Sequence, residues 1–211
     1  MKRLVFASMA FLIFAGCSSN KLAKKNGWID LFDGKSLTGW RASENPATFT
    51  VENGMIAVHG PRAHLFYEGP IMNHDFRDFE LKVSVMTTPG SNSGIFIHTQ
   101  YQENGWPVKG YEVQVNNTQT DWRRTGSLYA VQDVKEVYVK DNEWYTESVT
   151  VKGKRIIIKI NDKIVVDYTE PDNVAQLPGR EQKKLSSGTF ALQGHDPASK
   201  VFFKDIKVRA L

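Results

Sequence analysis

Cysteine is almost absent from this chain of 211 residues: Cys17 is the only one. No intramolecular disulfide can brace the fold, so the folded part must rest on its hydrophobic core. Nor does any window carry an apolar stripe at helical spacing. The nearest, 172–184, is interrupted by proline, glycine and clustered charge and reads as a loop with at most a turn of helix. Lysine and arginine together outnumber aspartate and glutamate by only 27 to 23. No basic stripe gathers them, which removes nucleic acid from the expected partners. The histidines (His59, His64, His74, His98 and His195) include no pair at the close spacing of a zinc motif. No repeat, linker or shift in composition follows Gly27, which points to one domain over residues 27–211.

The one sustained apolar run is at the N-terminus. MKRLVFASMAFLIFAGC has a basic start (Lys2, Arg3), an apolar middle and small residues before Cys17. It reads as a secretory signal over residues 1–16, too short and too one-sidedly flanked for a spanning helix. Phe14-Ala15-Gly16-Cys17 resembles the bacterial lipobox, with Phe14 in place of the more usual Leu. That resemblance implies acylation of Cys17, with residues 17–26 as a polar, lipid-anchored tether. The expectation is an exported bacterial lipoprotein held at the membrane only by its anchor, facing the periplasm. Loss of Lys2 and Arg3 with the signal lowers the formal charge from +4 to +2, and Lys21, Lys24 and Lys25 belong to the tether.

From Trp28 onward the pattern is one of short alternating runs between turn residues. TFTVE (48–52) and MIAVH (55–59) flank Asn53-Gly54, a strong hairpin signal. FELKVSVM (79–86) puts Phe79, Leu81, Val83 and Val85 on one face. RIIIKI (155–160) and IVVDY (164–168) flank a short turn at 161–163. SLYAV (127–131), SGTFALQGH (187–195) and KVFFKDIKV (200–208) add further strands, whereas HGPRAHLFYEGPIMNH (59–74) reads as a loop. Many short strands with regular turns predict an all-β protein, two antiparallel sheets packed face to face, each with a dry face and a wetter one.

The stretch from Asn92 to Asn117 is the most informative. Ile95 and Ile97 fall on one face, with Gly94, Phe96 and His98 on the other; Tyr111, Val113 and Val115 share a face opposite Glu112, Gln114 and Asn116. In the strand near 189–195, the same alternation leaves Gln193 and His195 on the wet side. A sheet face that collects ionisable and amide groups beside aromatics suits a sugar-binding groove. Asn92 and Ser93 are turn formers at its edge. Trp106 and Tyr129 could stack on sugar rings, and Arg62 and His64 would belong to a loop over the groove. His98 taken in isolation reads as a side chain bonded to a backbone carbonyl.

In order along the chain, WIDLFDGKSLTGW, FTVENGMI, FRDFELKVSVMTTPGSNSGIFIH, GYEVQV, TGSLYAV, VTVKGKRIIIKINDKIVVDY, GTFALQGH and VFFKDIKV resemble the 3-keto-disaccharide hydrolase family, DUF1080, from Gly27 to Leu211. The resemblance implies a jelly-roll sandwich of the concanavalin A-like lectin/glucanase type and action on glycosides whose sugar carries a ketone at C3. His98 stands where many members of the family have arginine. Other sugar-cleaving jelly rolls carry Glu-x-Asp-x-x-Glu on one strand; the same spacing here reads Glu112-x-Gln114-x-x-Asn117, and one carboxylate cannot run a two-carboxylate retaining mechanism. A 3-keto sugar offers another route, since the ketone acidifies the C2 proton and a single base can start a β-elimination. On this reading Glu112, His98 and His195 are the catalytic residues, and Gln114, Gln193, Asn92, Ser93, Tyr129, Trp106, Arg62 and His64 contact the substrate. A divalent metal ion is a candidate cofactor, with His98, Glu112 and His195 as its ligands if one is bound. The alternative is a non-catalytic carbohydrate-binding lipoprotein on the same scaffold.

Overall fold

Alternation turns into pairing at the two tightest turns of the chain. In the computed structural model, which describes residues 24–25, 27–172, 174 and 182–211, Asn53 and Gly54 adopt φ of 50° and 81°. They join β4 (Phe49–Glu52) to β5 (Met55–His59), with Glu52 opposite Met55. Asn161 and Asp162, at φ of 47° and 66°, do the same between β11 (Arg155–Ile160) and β12 (Lys163–Thr169). Positive φ at both central residues matches the right-handed twist of the flanking strands, and asparagine, aspartate and glycine tolerate it best. The signal segment 1–16 and Cys17 lie outside the described residues. Of the tether, Lys24–Lys25 form a two-residue strand β1 against β2 (Trp28–Asp30).

The remaining strands are β3 (Trp40–Ala42), β6 (Ala63–Tyr67), β7 (Phe79–Thr87), β8 (Asn92–Thr99), β9 (Tyr111–Asn116), β10 (Tyr145–Lys152), β13 (Thr189–Gly194) and β14 (Lys200–Ala210). They form two antiparallel sheets. A nine-stranded sheet runs β1-β2-β14-β7-β10-β11-β12, with β5 also paired to β14 and β4 to β5; a five-stranded sheet runs β3-β6-β13-β8-β9. Their facing sides hold the core. Phe79, Leu81, Val83 and Val85 of β7 meet Ile95 and Ile97 of β8, Val113 and Val115 of β9, and Phe190 and Leu192 of β13, all buried in one cluster. Burial of this many aliphatic and aromatic side chains, at about 25 cal/mol per Å² of apolar surface, holds a sandwich without disulfides.

Two sequence expectations are corrected by the fold. The segment read as a loop over 59–74 contains β6, which lies inside the five-stranded sheet between β3 and β13. The run SLYAV at 127–131, read as a strand, is a turn: Ala130 has a φ of 56° and its N–H bonds Asp133 Oδ1 at 2.8 Å. Only Leu128 keeps bridges, to Val113 and Gln132.

One buried position breaks the apolar pattern of the interior. Glu147 of β10 stands opposite Val83 and Ile160, fully buried, and neither carboxyl oxygen makes a well-formed hydrogen bond. Burial pushes its carboxyl well above the ordinary 4.5, offset only in part by the Gly126 N–H, so the proton stays on in the folded state. Below pH 4.5 the folded and unfolded chains both hold that proton and Glu147 costs nothing on this account. As pH rises further the unfolded chain ionises and the folded one does not, so stability falls. We therefore expect Glu147→Gln, which has no proton to retain, to gain on the wild type by about 1.4 kcal/mol per pH unit above 4.5 until the folded group ionises. Urea melts of both proteins from pH 4 to pH 8 check this; parallel curves would contradict it.

Candidate active site

The polar side of the five-stranded sheet is set by register. Pairing of Gln193 with His64, Gly94 with Gln114, and Phe96 with Glu112 lines up one set of side chains on the face turned away from the core. Leu192 opposite Ile95, and Ile95 opposite Val113, place the intervening residues inside. Phe66, Phe96 and Ala191 form a small buried apolar cluster on the outer face, covered by Tyr101. Beside it lies a cavity of about 320 Å³ lined by Asn92, Phe96, Trp106, Pro107, Val108, Gly110, Glu112, Gln114, Asp121, Tyr129, Lys183, Gln193 and His195.

Its floor is a short amide–carboxylate network. Gln193 Nε2 donates to Glu112 Oε1 at 2.7 Å, and Gln114 Nε2 donates to Asn92 Oδ1 at 3.2 Å. The remaining amide oxygens, Gln114 Oε1 and Gln193 Oε1, are buried without a partner among the described residues. A buried carbonyl oxygen with no donor costs about 1–3 kcal/mol, so the amide orientations that serve Glu112 and Asn92 are held at a cost. Glu112 reaches over Gly94: a Cβ at that position would come within 2.5 Å of Glu112 Oε1. Any side chain there would push the Glu112 carboxylate out of this position.

His195 follows β13 directly, and the next residue orients it. His195 Nδ1 lies 2.6 Å from Asp196 Oδ2, and Asp196 also accepts from the N–H groups of Ala198 and Ser199 and from Ser199 Oγ. Burial alone would raise the Asp196 carboxyl, but these bonds, His195 first among them, hold it below the usual value. An ionised Asp196 fixes the Nδ1–H tautomer and leaves Nε2 for the cavity, the arrangement of an acid–base histidine. Ser199 Oγ in turn accepts the N–H of Asn92 at 2.9 Å, tying this pair to the floor.

Two loops build the walls. Gln102 pins the first: its Nε2 donates to the carbonyls of Asn104 and Trp106 at 2.6 and 2.8 Å, and its Oε1 accepts from Val108 N–H at 3.2 Å. Trp106 thereby sits over His195, ring centroids 5.4 Å apart. The second wall is organised by Asn116 and Arg124. Asn116 Nδ2 donates to the Asp121 and Arg123 carbonyls, both at 2.9 Å, and Arg124 Nη1 donates to the Gln119 and Asp121 carbonyls at 2.8 and 2.9 Å. That holds Asp121 and Tyr129 at the β9 side, where Lys183 Nζ donates to the Tyr129 carbonyl at 2.8 Å.

The structure therefore gathers Glu112, His195, Gln114, Gln193, Asn92, Trp106 and Tyr129 around one cavity, and leaves out four of the residues named from the sequence. His98 is the chief correction. Between Thr189 opposite Thr99 and Ala191 opposite Phe96, β8 carries one residue more than β13, and His98 takes a φ of 53°. This bulge breaks the alternation. Gly110 packs so closely on it that a Cβ there would meet Ile97 O at 2.0 Å. The His98 ring turns toward the edge of Phe79, its Nε2–H donates to Arg77 O at 2.9 Å, and its Nδ1 accepts from Ser186 N–H at 3.2 Å. Both nitrogens are committed to backbone, and burial lowers the pKa of the ring. The ligand set His98, Glu112 and His195 is not assembled, and among the described residues no group of three or more His, Cys, Asp or Glu side chains is placed to hold a metal ion.

Ser93 points inward and donates to Gln193 O at 2.6 Å. His64 lies in β6, fully buried, with its ring edge-on to Phe96 and Trp106 at 5.3 and 5.5 Å. Arg62 packs its guanidinium 5.4 Å from the Trp106 ring centre while Glu44 grips it through two bonds of 2.9 and 3.0 Å. Both support Trp106 from behind and do not line the cavity. Sequence reading passed over Asp196, Asp121 and Lys183. Only Asp196 had a legible signal, an aspartate directly after a wet-face histidine.

Comparison with known proteins places the chain among carbohydrate-active folds. Residues 27–209 match the family model described as the 3-keto-alpha-glucoside-1,2-lyase-like domain. A relative from Bacteroides thetaiotaomicron named 3-keto-disaccharide hydrolase is 28% identical over 170 residues, 68% of this chain and 59% of that protein, so the alignment spans less than two thirds of the relative's length. A crystal structure from Parabacteroides distasonis, provisionally described as a glycosyl hydrolase, superposes with a TM-score of 0.75 at 23% identity, covering 88% of this chain and 94% of that one. A non-specific endo-β-1,3(4)-glucanase superposes with a TM-score of 0.56 at 13% identity over 90% and 94% of the two chains. The likeness to these structures establishes the jelly-roll fold.

His64 makes acid sensitivity testable. Burial, with Arg62 and His195 nearby, lowers its pKa from 6.5 to about 3 against the opposing pull of Glu44. A lowered histidine contributes stability that is complete above 6.5 and is lost as pH falls toward 3, because only the unfolded chain takes up the proton. Replacing it, His64→Leu, is expected to flatten the decline in stability between pH 6.5 and 5 by roughly 1.4 kcal/mol per unit, measured by chemical denaturation. An unchanged slope would show that His64 already protonates in the fold.

Proposed function

Because the chain belongs to the family of 3-keto-alpha-glucoside-1,2-lyase-like domains, we propose that it is a carbohydrate-active hydrolase that cleaves 3-keto glucosides, by elimination followed by hydration. One observation carries the reading. A carboxylate seated by an amide (Glu112 on Gln193) and a histidine seated by a carboxylate (His195 on Asp196) line the same cavity, with Asn92, Gln114 and Asp121 beside them. The polar lining suits the hydroxyls of a sugar, and the two ionisable groups suit two proton transfers.

The steps follow from the chemistry of the ketone. Glu112 removes the proton at C2, and the electron pair passes through the C2–C3 bond to O3 as an enolate. Lys183 brings a cation to the same cavity wall, where it offsets that charge. When the enolate collapses, the C1–O bond breaks, a double bond forms between C1 and C2, and protonated His195 gives its proton to the departing oxygen. Asp196 stabilises the imidazolium before transfer and retains the tautomer afterward. In the second half, neutral His195 takes a proton from a water adding at C1, and Glu112 returns its proton to C2. The sum is one water consumed and one glycosidic bond broken, with both residues restored. This route needs one carboxylate acting as a base, consistent with the amides at 114 and 117 where a two-carboxylate enzyme has acids.

Turnover of 3-keto-glucosides, followed by release of the aglycone, tests the reading. Glu112→Gln and His195→Ala are each expected to lower kcat by about 10²–10⁴-fold, while His98→Ala leaves kcat within about threefold and costs about 1–3 kcal/mol of stability through two lost backbone partners. Full activity in both of the first two variants would overturn the assignment. In the same reading the domain works outside the cytoplasm on a lipid attached to Cys17. Cys17→Ser is then expected to abolish palmitate labelling and release the protein from membranes; labelling that survives would refute the anchor.

A further inference from the structure

We infer that the substrate carries a flat, apolar aglycone, an aromatic one foremost, which rests on Trp106 and Val108 while the sugar occupies the floor around Glu112; this rests on the functional reading above and extends it to the substrate class. The wall beside His195 is Trp106-Pro107-Val108, and it leaves two large apolar side chains open to solvent, Trp106 43% and Val108 48% exposed. Adjacent exposed side chains of this size at a cavity mouth mark a surface that a ligand covers.

The Trp106 ring is also held before any ligand arrives. His64 meets it edge-on, Arg62 packs on it under the grip of Glu44, and Gln102 ties the backbone on both sides. A rim aromatic restrained this way loses little freedom when something stacks on it, so the contact is retained as affinity. Its position relative to the chemistry gives the orientation. His195 touches the Trp106 ring, and whichever oxygen His195 protonates must lie beside that ring. That oxygen belongs to the leaving group, so the aglycone is the part of the substrate that meets this wall.

The wall favours a flat apolar ring over a second sugar. Apart from the indole N–H, the side chains at 106–108 offer no hydrogen-bonding group. A sugar placed there could stack a C–H face on the indole, but its hydroxyls would stay with water and gain no partner from Pro107 or Val108. An aromatic ring would bury apolar area and gain about 0.5–1.5 kcal/mol from stacking.

The experiment compares benzyl, methyl and glucosyl 3-keto-glucosides of both anomers with the full-length protein. Benzyl and methyl alcohols are comparably poor leaving groups, so their difference reports binding. The benzyl glycoside is expected to show a KM about tenfold below the methyl one and to be preferred to the disaccharide in kcat/KM. Trp106→Ala should raise the benzyl KM about tenfold more than the methyl KM, Trp106→Phe should restore most of the difference, and Trp122→Ala, exposed and outside the cavity lining, should leave the benzyl-to-methyl ratio as in the wild type. Equal KM values for benzyl and methyl, a preference for the disaccharide, or a Trp106→Ala loss shared equally by all three substrates would overturn the inference while the functional reading stands. Cleavage of none of them would overturn both.

Discussion

The carboxylate of Glu112 can lie on its sheet only because Gly94 has no side chain. That contact joins three strands: Glu112 on β9 leans across β8 at Gly94 and is met there by Gln193 from β13. The geometry depends on the register of all three, and the register is set on the other face. Leu192, Ile95 and Val113 lie abreast in the core, and a slip of one residue would exchange them with the polar set. The site is thus held in place by hydrophobic packing it does not touch. The same packing tolerates polar groups placed at a cost elsewhere, Glu147 without a well-formed hydrogen bond in the interior and His64 likewise beneath Trp106.

Around that centre, each chemically active group is held by a second group. Asp196 holds His195, Gln193 holds Glu112, and Asn92 joins the two halves through Gln114 on one side and Ser199 on the other. Buried networks of this kind are worth most when every member has a partner. Here, among the described residues, Gln114 Oε1 and Gln193 Oε1 are left buried without a partner beneath the cavity lining. The walls follow a different rule, polar on the Tyr129 side and apolar on the Trp106 side, which gives the cavity a direction.

Much of the fold was legible because alternation is a local property. The runs in β7, β8, β9 and β11, and the turns at Asn53-Gly54 and Asn161-Asp162, announce themselves within a few residues, and the dry and wet faces of β9 and β13 follow from the same count. β6 escaped because its flanks carry glycine, proline and arginine, and its strand character comes from neighbours far away in sequence, β3 and β13. SLYAV misled in the opposite direction: its composition suits a strand, but Asp133 captures the Ala130 N–H and turns the chain.

The order of side chains along each strand, and with it the polar face holding Glu112, Gln114, Gln193 and His195, was determined by the sequence alone, because a strand's period of two admits no other arrangement while it remains regular. Irregularity was decided only in three dimensions. One extra residue opposite β13 turned His98 from the groove to the backbone of Arg77, and chain folding brought Asp121 and Lys183 to a cavity that no local pattern connects to them. The physical reason is that a bulge and a loop's destination are settled by long-range packing and backbone hydrogen bonding, whereas facing is settled by the geometry of neighbouring residues.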